Sequence, residues 1–215
     1  MENQAILELK NISKSFSGVT VLKNITMSLN KGEVRGLVGE NGAGKSTLNK
    51  IICGVYKNDT GSVSFKGKLL PKGNPIAVKE AKIFMIPQDL GLMENLSVMQ
   101  NILLGREFTK FGFINLKKSR DLCKKILDDI EIKLDLDAIV SDLTIDQRQF
   151  VAIARVLSAN ADLIIMDEPS STLSKSEVKN LLNIIKNLKK KNITIIYVSH
   201  KIDEIFEIAD SITIL

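Results

Sequence analysis

Gly39-Glu-Asn-Gly-Ala-Gly-Lys-Ser-Thr47 is the stretch that decides the fold of this chain. It follows an apolar run, 34–38, and precedes a helix-like segment, 48–53. A Gly-x-x-x-x-Gly-Lys-Ser/Thr pattern in the turn from a strand to a helix is typical of a phosphate-binding loop. The stretch therefore predicts an α/β protein that binds a nucleoside triphosphate.

Each residue type in this loop suits a polyphosphate. Gly39, Gly42 and Gly44 allow positive φ and a close approach of the backbone, so that successive amides form an anion nest at the positive end of the next helix. Lys45 is predicted to place a charge on the β- and γ-phosphates, and Ser46 to offer a hydroxyl to Mg²⁺. We therefore predict that ATP contacts the whole loop: Gly39, Glu40, Asn41, Gly42, Ala43, Gly44, Lys45, Ser46 and Thr47.

The composition is that of an average globular protein. The 215 residues are 44% hydrophobic and 26% charged, which fits one α/β domain with a small insert. No apolar run approaches the roughly 20 residues of a membrane span, and the start, Met-Glu-Asn-Gln, does not resemble a signal peptide. Cys53 and Cys123 lie far apart, and we interpret them as buried, reduced thiols.

The positive net charge does not by itself indicate a nucleic-acid partner. The net charge of +5 comes from 30 basic and 25 acidic residues, with lysines spread over predicted helices. Only two Tyr and no Trp are available for base stacking. The pattern favours solvated helix faces near an anionic membrane leaflet over a nucleic-acid groove.

Hydrophobic periodicity predicts two kinds of sheet and a helical insert. Residues 6–9 and 21–29 alternate with period two and indicate half-exposed strands. Further strands are predicted at 34–38, 63–65, 83–86, 163–166, 193–198 and 211–215, and helices at 175–190 and 202–208. From about 91 to 143 the pattern is helical, and with the helix that follows we place an inserted helical subdomain at about 91–160. We expect a parallel core with an antiparallel N-terminal part, in a chain that continues beyond residue 215.

Two carboxylates follow the apolar run 163–166. Asp167 is predicted to hold Mg²⁺ through water, and Glu168 to orient and deprotonate the attacking water. A strand that ends in acid is common, but here it comes after a phosphate loop and before Pro169. The pair is therefore predicted to be the metal ligand and the catalytic base.

Two more polar residues end predicted strands. His200, the only histidine, closes the run 195–200 and lies where the ligand crevice of a parallel sheet is expected, within reach of a γ-phosphate. A structural histidine is the alternative. Gln88 follows strand 83–86 and is predicted to bind Mg²⁺ or water when the helical subdomain moves inward.

The run Arg148-Gln-Phe-Val-Ala-Ile-Ala-Arg155 is similar to the signature helix of the ATP-binding-cassette (ABC) ATPases. All five motifs occur in that family's order and cover nearly the whole chain. The resemblance implies the P-loop NTPase fold of ABC ATPases, with a mixed sheet core, an antiparallel β-subdomain and an inserted helical subdomain. It also implies that ATP is hydrolysed between two such domains, where Thr144, Asp146 and Gln147 of one contact the nucleotide held by Lys45 of the other.

Two segments narrow the resemblance. Asp167-Glu-Pro-Ser-Ser-Thr-Leu-Ser174 and Tyr197-Val-Ser-His-Lys-Ile-Asp-Glu-Ile-Phe206 resemble the ATPases of ribose, xylose and galactose importers, in particular the N-terminal cassette of their two-cassette chains. The similarity implies an ATPase at the cytoplasmic face of the membrane. Its partners would be a second cassette in the same chain or a homodimer, permease subunits and, indirectly, an extracytoplasmic solute-binding protein. Nucleoside and autoinducer-2 importers have similar cassettes, so the resemblance does not identify the solute.

Phe16 lies where the family stacks an aromatic side chain on adenine. Phenylalanine is also an ordinary residue at the edge of a strand, so the position alone does not assign the role. We predict that Phe16 contacts the adenine ring of ATP.

The signature departs from the family pattern Leu-Ser-Gly-Gly-Gln, because this chain has Leu143-Thr-Ile-Asp-Gln. Asp146 replaces a glycine whose amide approaches the partner's γ-phosphate. Two unit charges about 4 Å apart repel by roughly 4 kcal/mol at an effective dielectric near 20. We expect this signature to serve the weaker of two sites, unless Asp146 turns away, caps its own helix or is protonated. A low-turnover half of an asymmetric pair is therefore an alternative.

Overall fold

A computed structural model gives the fold over residues 5–110 and 113–215. Its strands are β1 (Ala5–Phe16), β2 (Val19–Asn30), β3 (Val34–Val38), β4 (Thr60–Phe65), β5 (Lys68–Leu69), β6 (Ile83–Ile86), β7 (Thr109–Lys110), β8 (Phe113–Ile114), β9 (Leu163–Asp167), β10 (Thr194–Val198) and β11 (Ser211–Ile214). Its α-helices are α1 (Lys45–Ile52), α2 (Pro75–Glu80), α3 (Val98–Leu103), α4 (Leu116–Asp129), α5 (Ile145–Ser158), α6 (Lys175–Lys190) and α7 (Ile202–Ile208).

The described strands form the predicted mixed architecture. One sheet is antiparallel, in the order β2-β1-β4-β5, and the other is parallel, in the order β11-β3-β10-β9-β6. Since all strands of the second sheet run the same way, the segments that follow β3, β6, β9 and β10 leave it at one edge. The predicted fold class is confirmed, and Gln88, Asp167, Glu168 and His200, which were predicted as site residues, end or follow these strands.

The parallel sheet separates two hydrophobic clusters. Successive side chains of a strand point to opposite faces, so Ile164 and Met166 pack on one side of β9, and Leu163 and Ile165 on the other. The first cluster extends into α3 to α7, and the second into α1 and the antiparallel sheet. Both faces of β9 and β10 are therefore buried, which explains their continuous apolar runs.

The helical subdomain contains α3, α4 and α5, which pack against one another. Its first residues, 91–97, are not helical, and the fully buried Asn101 fixes them. The Asn101 amide nitrogen donates to the carbonyls of Met93, Leu96 and Ser97, and its oxygen accepts from the Met93 N–H. The two-residue strands β7 and β8 also lie in the range predicted as helical. The insert therefore combines helices with a pair of short antiparallel strands.

The two cysteines differ in burial. Cys123 is buried, as predicted, but Cys53 is half-buried, because α1 ends at Ile52 and Cys53 follows as its C-cap. Burial raises the pKa of the Cys53 thiol to about 12 and that of Cys123 to about 11. Both are therefore protonated thiols at neutral pH, with little nucleophilic character.

Asn49 on α1 is a buried amide without a partner. It is fully buried, and neither its oxygen nor its nitrogen makes a hydrogen bond to any described residue. Such a group costs about 1–3 kcal/mol. We expect Asn49→Leu, which keeps the branching of the side chain, to raise the free energy of unfolding by about 1–2 kcal/mol, as measured by urea denaturation.

Asn58 offers the matched control for that measurement. It is also buried, but its amide donates to the carbonyls of Thr60, at 2.7 Å, and Gly61, at 2.9 Å. Asn58→Leu should therefore lower the free energy of unfolding. If both variants lost stability, the explanation from the unpartnered amide would be wrong.

Candidate nucleotide-binding site

Residues 39–44 of the phosphate loop connect β3 to α1, and their backbone requires glycine. Gly42 and Gly44 have φ of 88° and 100°, in the left-handed region. A Cβ on Gly44 would lie 2.7 Å from Leu22 Cδ2, and one on Gly39 would lie 2.8 Å from the Leu215 carbonyl oxygen. A Cβ on Gly42 would meet nothing within 4 Å. Two of the glycines are therefore fixed by packing, and Gly42 by its backbone conformation on an open side of the loop.

Lys45 places a positive charge inside this loop. The side chain is only 6% exposed, and its Nζ donates to the carbonyl oxygens of Gly39, at 2.7 Å, and Glu40, at 2.9 Å. Lys45 is also the first residue of α1, whose free backbone N–H groups favour anions. The ammonium and the helix N-terminus together form a site that suits phosphate oxygens.

Asp167, the last residue of β9, lies beside Ser46 of α1. Burial and the neighbouring Glu168 carboxylate raise the pKa of Asp167, whereas the nearby Ser46 hydroxyl and the charges of Lys50 and Lys45 act to lower it. The structure therefore brings together Ser46 and Asp167, two of the three residues predicted to bind the metal. A hydroxyl and a carboxylate next to a phosphate site are oxygen ligands of the kind that Mg²⁺ prefers, so these residues fit the ion.

Glu168 and His200 lie side by side. Strand pairing sets Val198 of β10 opposite Asp167, and the Glu168 N–H donates to the Val198 carbonyl at 3.0 Å. His200 Nδ1 is then 3.6 Å from Glu168 Oε1. Glu168 has φ of 49°, a conformation that is uncommon for residues other than glycine. Such outliers cluster at functional sites.

Gln88 lies beyond the end of β6, at the same edge of the parallel sheet. Ile86, the last residue of β6, pairs with Met166, and Gln88 follows as an exposed residue outside any helix or strand. The segment after it is tied to α5, because the Arg155 guanidinium donates to the carbonyls of Leu90, at 2.6 Å, and Gly91, at 2.9 Å. The position of Gln88 therefore depends on the helical subdomain.

Phe16 ends β1 with its ring 39% exposed. The ring packs edge-to-face on Tyr56, with centroids 5.3 Å apart, and Lys14 Nζ lies 5.1 Å from its centroid. An ion pair between Lys14 and Asp59, at 2.8 Å, fixes this segment. Tyr56 could not be predicted from the sequence, because no motif marks a ring that only supports another ring. Phe16 thus has both an exposed surface and fixed support.

The signature residues lie at the start of α5. The Thr144 N–H donates to Gln147 Oε1 at 3.1 Å, and the Thr144 hydroxyl donates to the Asp146 carboxylate. Asp146 is half-buried in the first turn, where a negative charge is stabilised by the helix N-terminus. Over residues 5–110 and 113–215, no hydrogen bond or ion pair joins these three side chains to the phosphate loop.

The loop, the carboxylates and the parallel sheet define a P-loop nucleotide-binding protein. Residues 22–171 match the family model described as "ABC transporter". The chain belongs to the ABC transporter family, whose ATPase domains bind nucleotide. In the described part of the chain, no helix is both long and apolar enough to cross a membrane.

Two curated relatives resemble nearly the whole chain. The ribose import ATP-binding protein of Caldanaerobacter subterraneus subsp. tengcongensis is 44% identical over 213 residues, which are 99% of this chain and 43% of that protein. The galactose/methyl galactoside import ATP-binding protein of Salmonella typhimurium is 42% identical over 210 residues, 98% of this chain and 42% of that protein. The chain thus spans less than half the length of these relatives.

A solved structure shows the same fold in a dimer. It is the dimeric post-hydrolysis state of an ATP-binding cassette bound to ADP and Pi, with a TM-score of 0.82 and 25% identity. The match covers 97% of this chain and 94% of that chain.

Proposed function

We propose that this chain binds and hydrolyses ATP to energise the import of a sugar or a related small solute through an ABC transporter. The observation that carries the proposal is the meeting of Lys45, the Ser46–Asp167 pair and the Glu168–His200 pair at one edge of the parallel sheet. The names of the relatives, a ribose import and a galactose/methyl galactoside import ATP-binding protein, support the choice of solute. A nucleoside or autoinducer-type solute is the alternative.

In this proposal the loop Gly39–Thr47 surrounds the phosphates of ATP. Lys45 exchanges its bonds to the Gly39 and Glu40 carbonyls for bonds to phosphate oxygens, and Phe16 stacks on adenine. Ser46 and Asp167 would hold Mg²⁺, with Gln88 as a further ligand. The ion would neutralise charge that develops on the phosphates.

Glu168 is the proposed base for the attacking water. Its carboxylate is partly exposed, at 24%, and can therefore reach a water molecule at the loop. His200, more exposed at 56%, would contact the γ-phosphate from the neighbouring strand end. Both residues follow parallel strands, so a rigid sheet fixes their relative positions.

We also propose that a second cassette completes the site. Thr144, Asp146 and Gln147 make no described contact with the phosphate loop of their own chain, so they are available to another nucleotide. The dimeric neighbour bound to ADP and Pi supports this arrangement. The second cassette would be another copy or, given the greater length of the relatives, a later part of the same protein.

A groove between the core and the helical subdomain is the proposed contact for permease subunits at the cytoplasmic face of the membrane. Its cavity of about 290 Å³ includes Val78 of α2, Phe84 and Met85 of β6, and the two arginines Arg106 and Arg155. Apolar walls with guanidinium groups suit a short amphipathic segment of a partner. Arg155 also binds the Leu90 and Gly91 carbonyls just after Gln88, so docking there would affect the position of Gln88 at the nucleotide. A solute-binding protein would act only through the permease.

Asp146 favours a second function, that of the weaker half of an asymmetric pair. Its carboxylate accepts from the Thr144 hydroxyl and forms no ion pair with any described residue, so a negative charge would lie near the place of a partner's γ-phosphate. In the Glu168→Gln background, we expect Asp146→Gly to tighten the ATP-dependent dimer by about tenfold or more, because a repulsion of roughly 1.4 kcal/mol already gives that factor.

The test is the mass of the protein in solution with and without Mg²⁺-ATP, together with phosphate release by the chain with Glu168 intact. Asp146→Asn separates the effect of charge from that of the added Cβ. ATP-dependent dimers whose strength does not change on Asp146→Gly would show that the altered signature is fully active. A chain that neither releases phosphate nor dimerises in any variant would contradict the proposed function.

A further inference from the structure

Glu204 of α7 is a buried carboxylate with an unusual number of donors. It is 7% exposed, and its Oε2 accepts from the hydroxyls of Ser170, at 2.6 Å, Tyr197, at 2.7 Å, and Ser199, at 3.3 Å. Its Oε1 lies 3.4 Å from Lys201 Nζ. Burial raises the pKa of Tyr197 above its usual range, so this phenol remains protonated and donates. A buried charge needs such partners, and Glu204 has them.

The partners of Glu204 come from the two loops that carry the proposed catalytic pair. Ser170 follows Glu168 by two residues, and Ser199 directly precedes His200. Lys201, directly after His200, adds a second connection, because its Nζ donates to the Ser170 carbonyl at 2.9 Å. Glu204 and Lys201 therefore join the loop after β9 to the loop after β10.

Glu168 needs this kind of support. Its φ of 49° is a strained conformation that persists only when the surroundings enforce it. The Glu168 N–H is bound to Val198, and its carbonyl accepts from the Ser171 N–H at 3.2 Å. Ser170, between these anchors, is 2% exposed and bound to Glu204. The Glu204 carboxylate thus binds the segment whose backbone orients Glu168.

We infer that Glu204 is a positioning residue for ATP hydrolysis: by binding Ser170 and Ser199 together, it holds the Glu168 carboxylate beside His200. The inference rests on the proposed function. Glu204 does not touch the phosphate loop in any described contact, so its effect should appear in the rate of the chemical step and not in ATP binding.

Glu204→Gln tests this inference, because the amide would place N–H donors against Lys201 and weaken the connection to Ser170. We expect kcat for ATP hydrolysis by the full chain to fall about tenfold to 100-fold, with the Kd for Mg²⁺-ATP within about twofold of the wild-type value. Amide hydrogen exchange should become faster in residues 168–173 and 199–201. Ser170→Ala, which removes one donor, should show part of both effects.

Ile205→Val is the matched control. Ile205 is fully buried on the same helix, so the variant loosens the packing of α7 without changing the bonds of Glu204. We expect it to keep kcat within about twofold. An equal loss in Ile205→Val, or unchanged kcat and exchange in Glu204→Gln, would overturn the inference. If the wild-type chain released no phosphate, the proposed function would fail, and the exchange rates would still decide whether Glu204 orders the two loops.

Discussion

Glu168→Gln should lower the rate of ATP hydrolysis by about 10²-fold or more, the contribution of a well-placed general base. Glutamine has nearly the shape of glutamate but cannot accept a proton from water. The substitution leaves the bond from the Glu168 N–H to Val198 and the phosphate loop in place, so the affinity for Mg²⁺-ATP should remain close to the wild-type value. Phosphate release and equilibrium titration with Mg²⁺-ATP measure the two quantities.

Glu8→Gln is a suitable control for this prediction. Glu8 lies on β1 in the antiparallel sheet and pairs with Lys10 at the surface, at 3.1 Å, so its loss should not change turnover. If Glu168→Gln retained more than about a tenth of the wild-type rate, another group would have to activate the water. His200, 3.6 Å away, would then be the residue to replace next.

Lys45→Met should weaken Mg²⁺-ATP binding by about 10-fold to 150-fold. The range follows from charge-assisted hydrogen bonds worth about 1.5–3 kcal/mol, at about 1.4 kcal/mol for each factor of ten. Methionine keeps an unbranched apolar side chain in a site that is only 6% exposed, so the fold should persist. Calorimetric titration measures the affinity, and thermal unfolding without nucleotide checks the fold.

Lys50→Met tests whether any cation on α1 contributes as much as Lys45 to the affinity for Mg²⁺-ATP. Lys50 lies five residues further along the helix, with its Nζ 5.4 Å from the centroid of the Tyr56 ring. Its replacement should change the affinity less than about threefold, as expected for a charge that acts from a distance through solvent. Equal losses in the two variants would indicate a general electrostatic effect instead of a specific contact of Lys45.

The phosphate loop and the strand-end residues could be predicted from the sequence, because their chemistry depends on short, contiguous patterns. Lys45 follows a glycine motif. The ends of apolar strands carry the other three residues, Asp167, Glu168 and His200. Parallel pairing of Val198 with Asp167 then brings these ends together, as the topology requires. The antiparallel part was also predictable, although β1 and β2 are longer than the alternation indicated.

Features that depend on distant contacts could not be predicted. Nothing near Glu204 in the sequence indicates that it binds Ser170, 34 residues away, and Tyr56 supports Phe16 only because the fold brings them together. The helical pattern after residue 91 did not reveal that segment 91–97 is non-helical, with carbonyls bound by the side chain of Asn101. The sequence allowed three states for Asp146, and only the structure shows its bond with Thr144.

Helix α5 connects the signature residues with the segment that follows Gln88. Its 14 residues form a rod of about 20 Å, with the signature at one end and, near the other, Arg155 bound to the backbone just after Gln88. In a pair of such domains, a displacement of either end must move the other. If two such domains pair as proposed, this connection would couple the two nucleotide sites, and each nucleotide would then change the affinity for the other by the same factor.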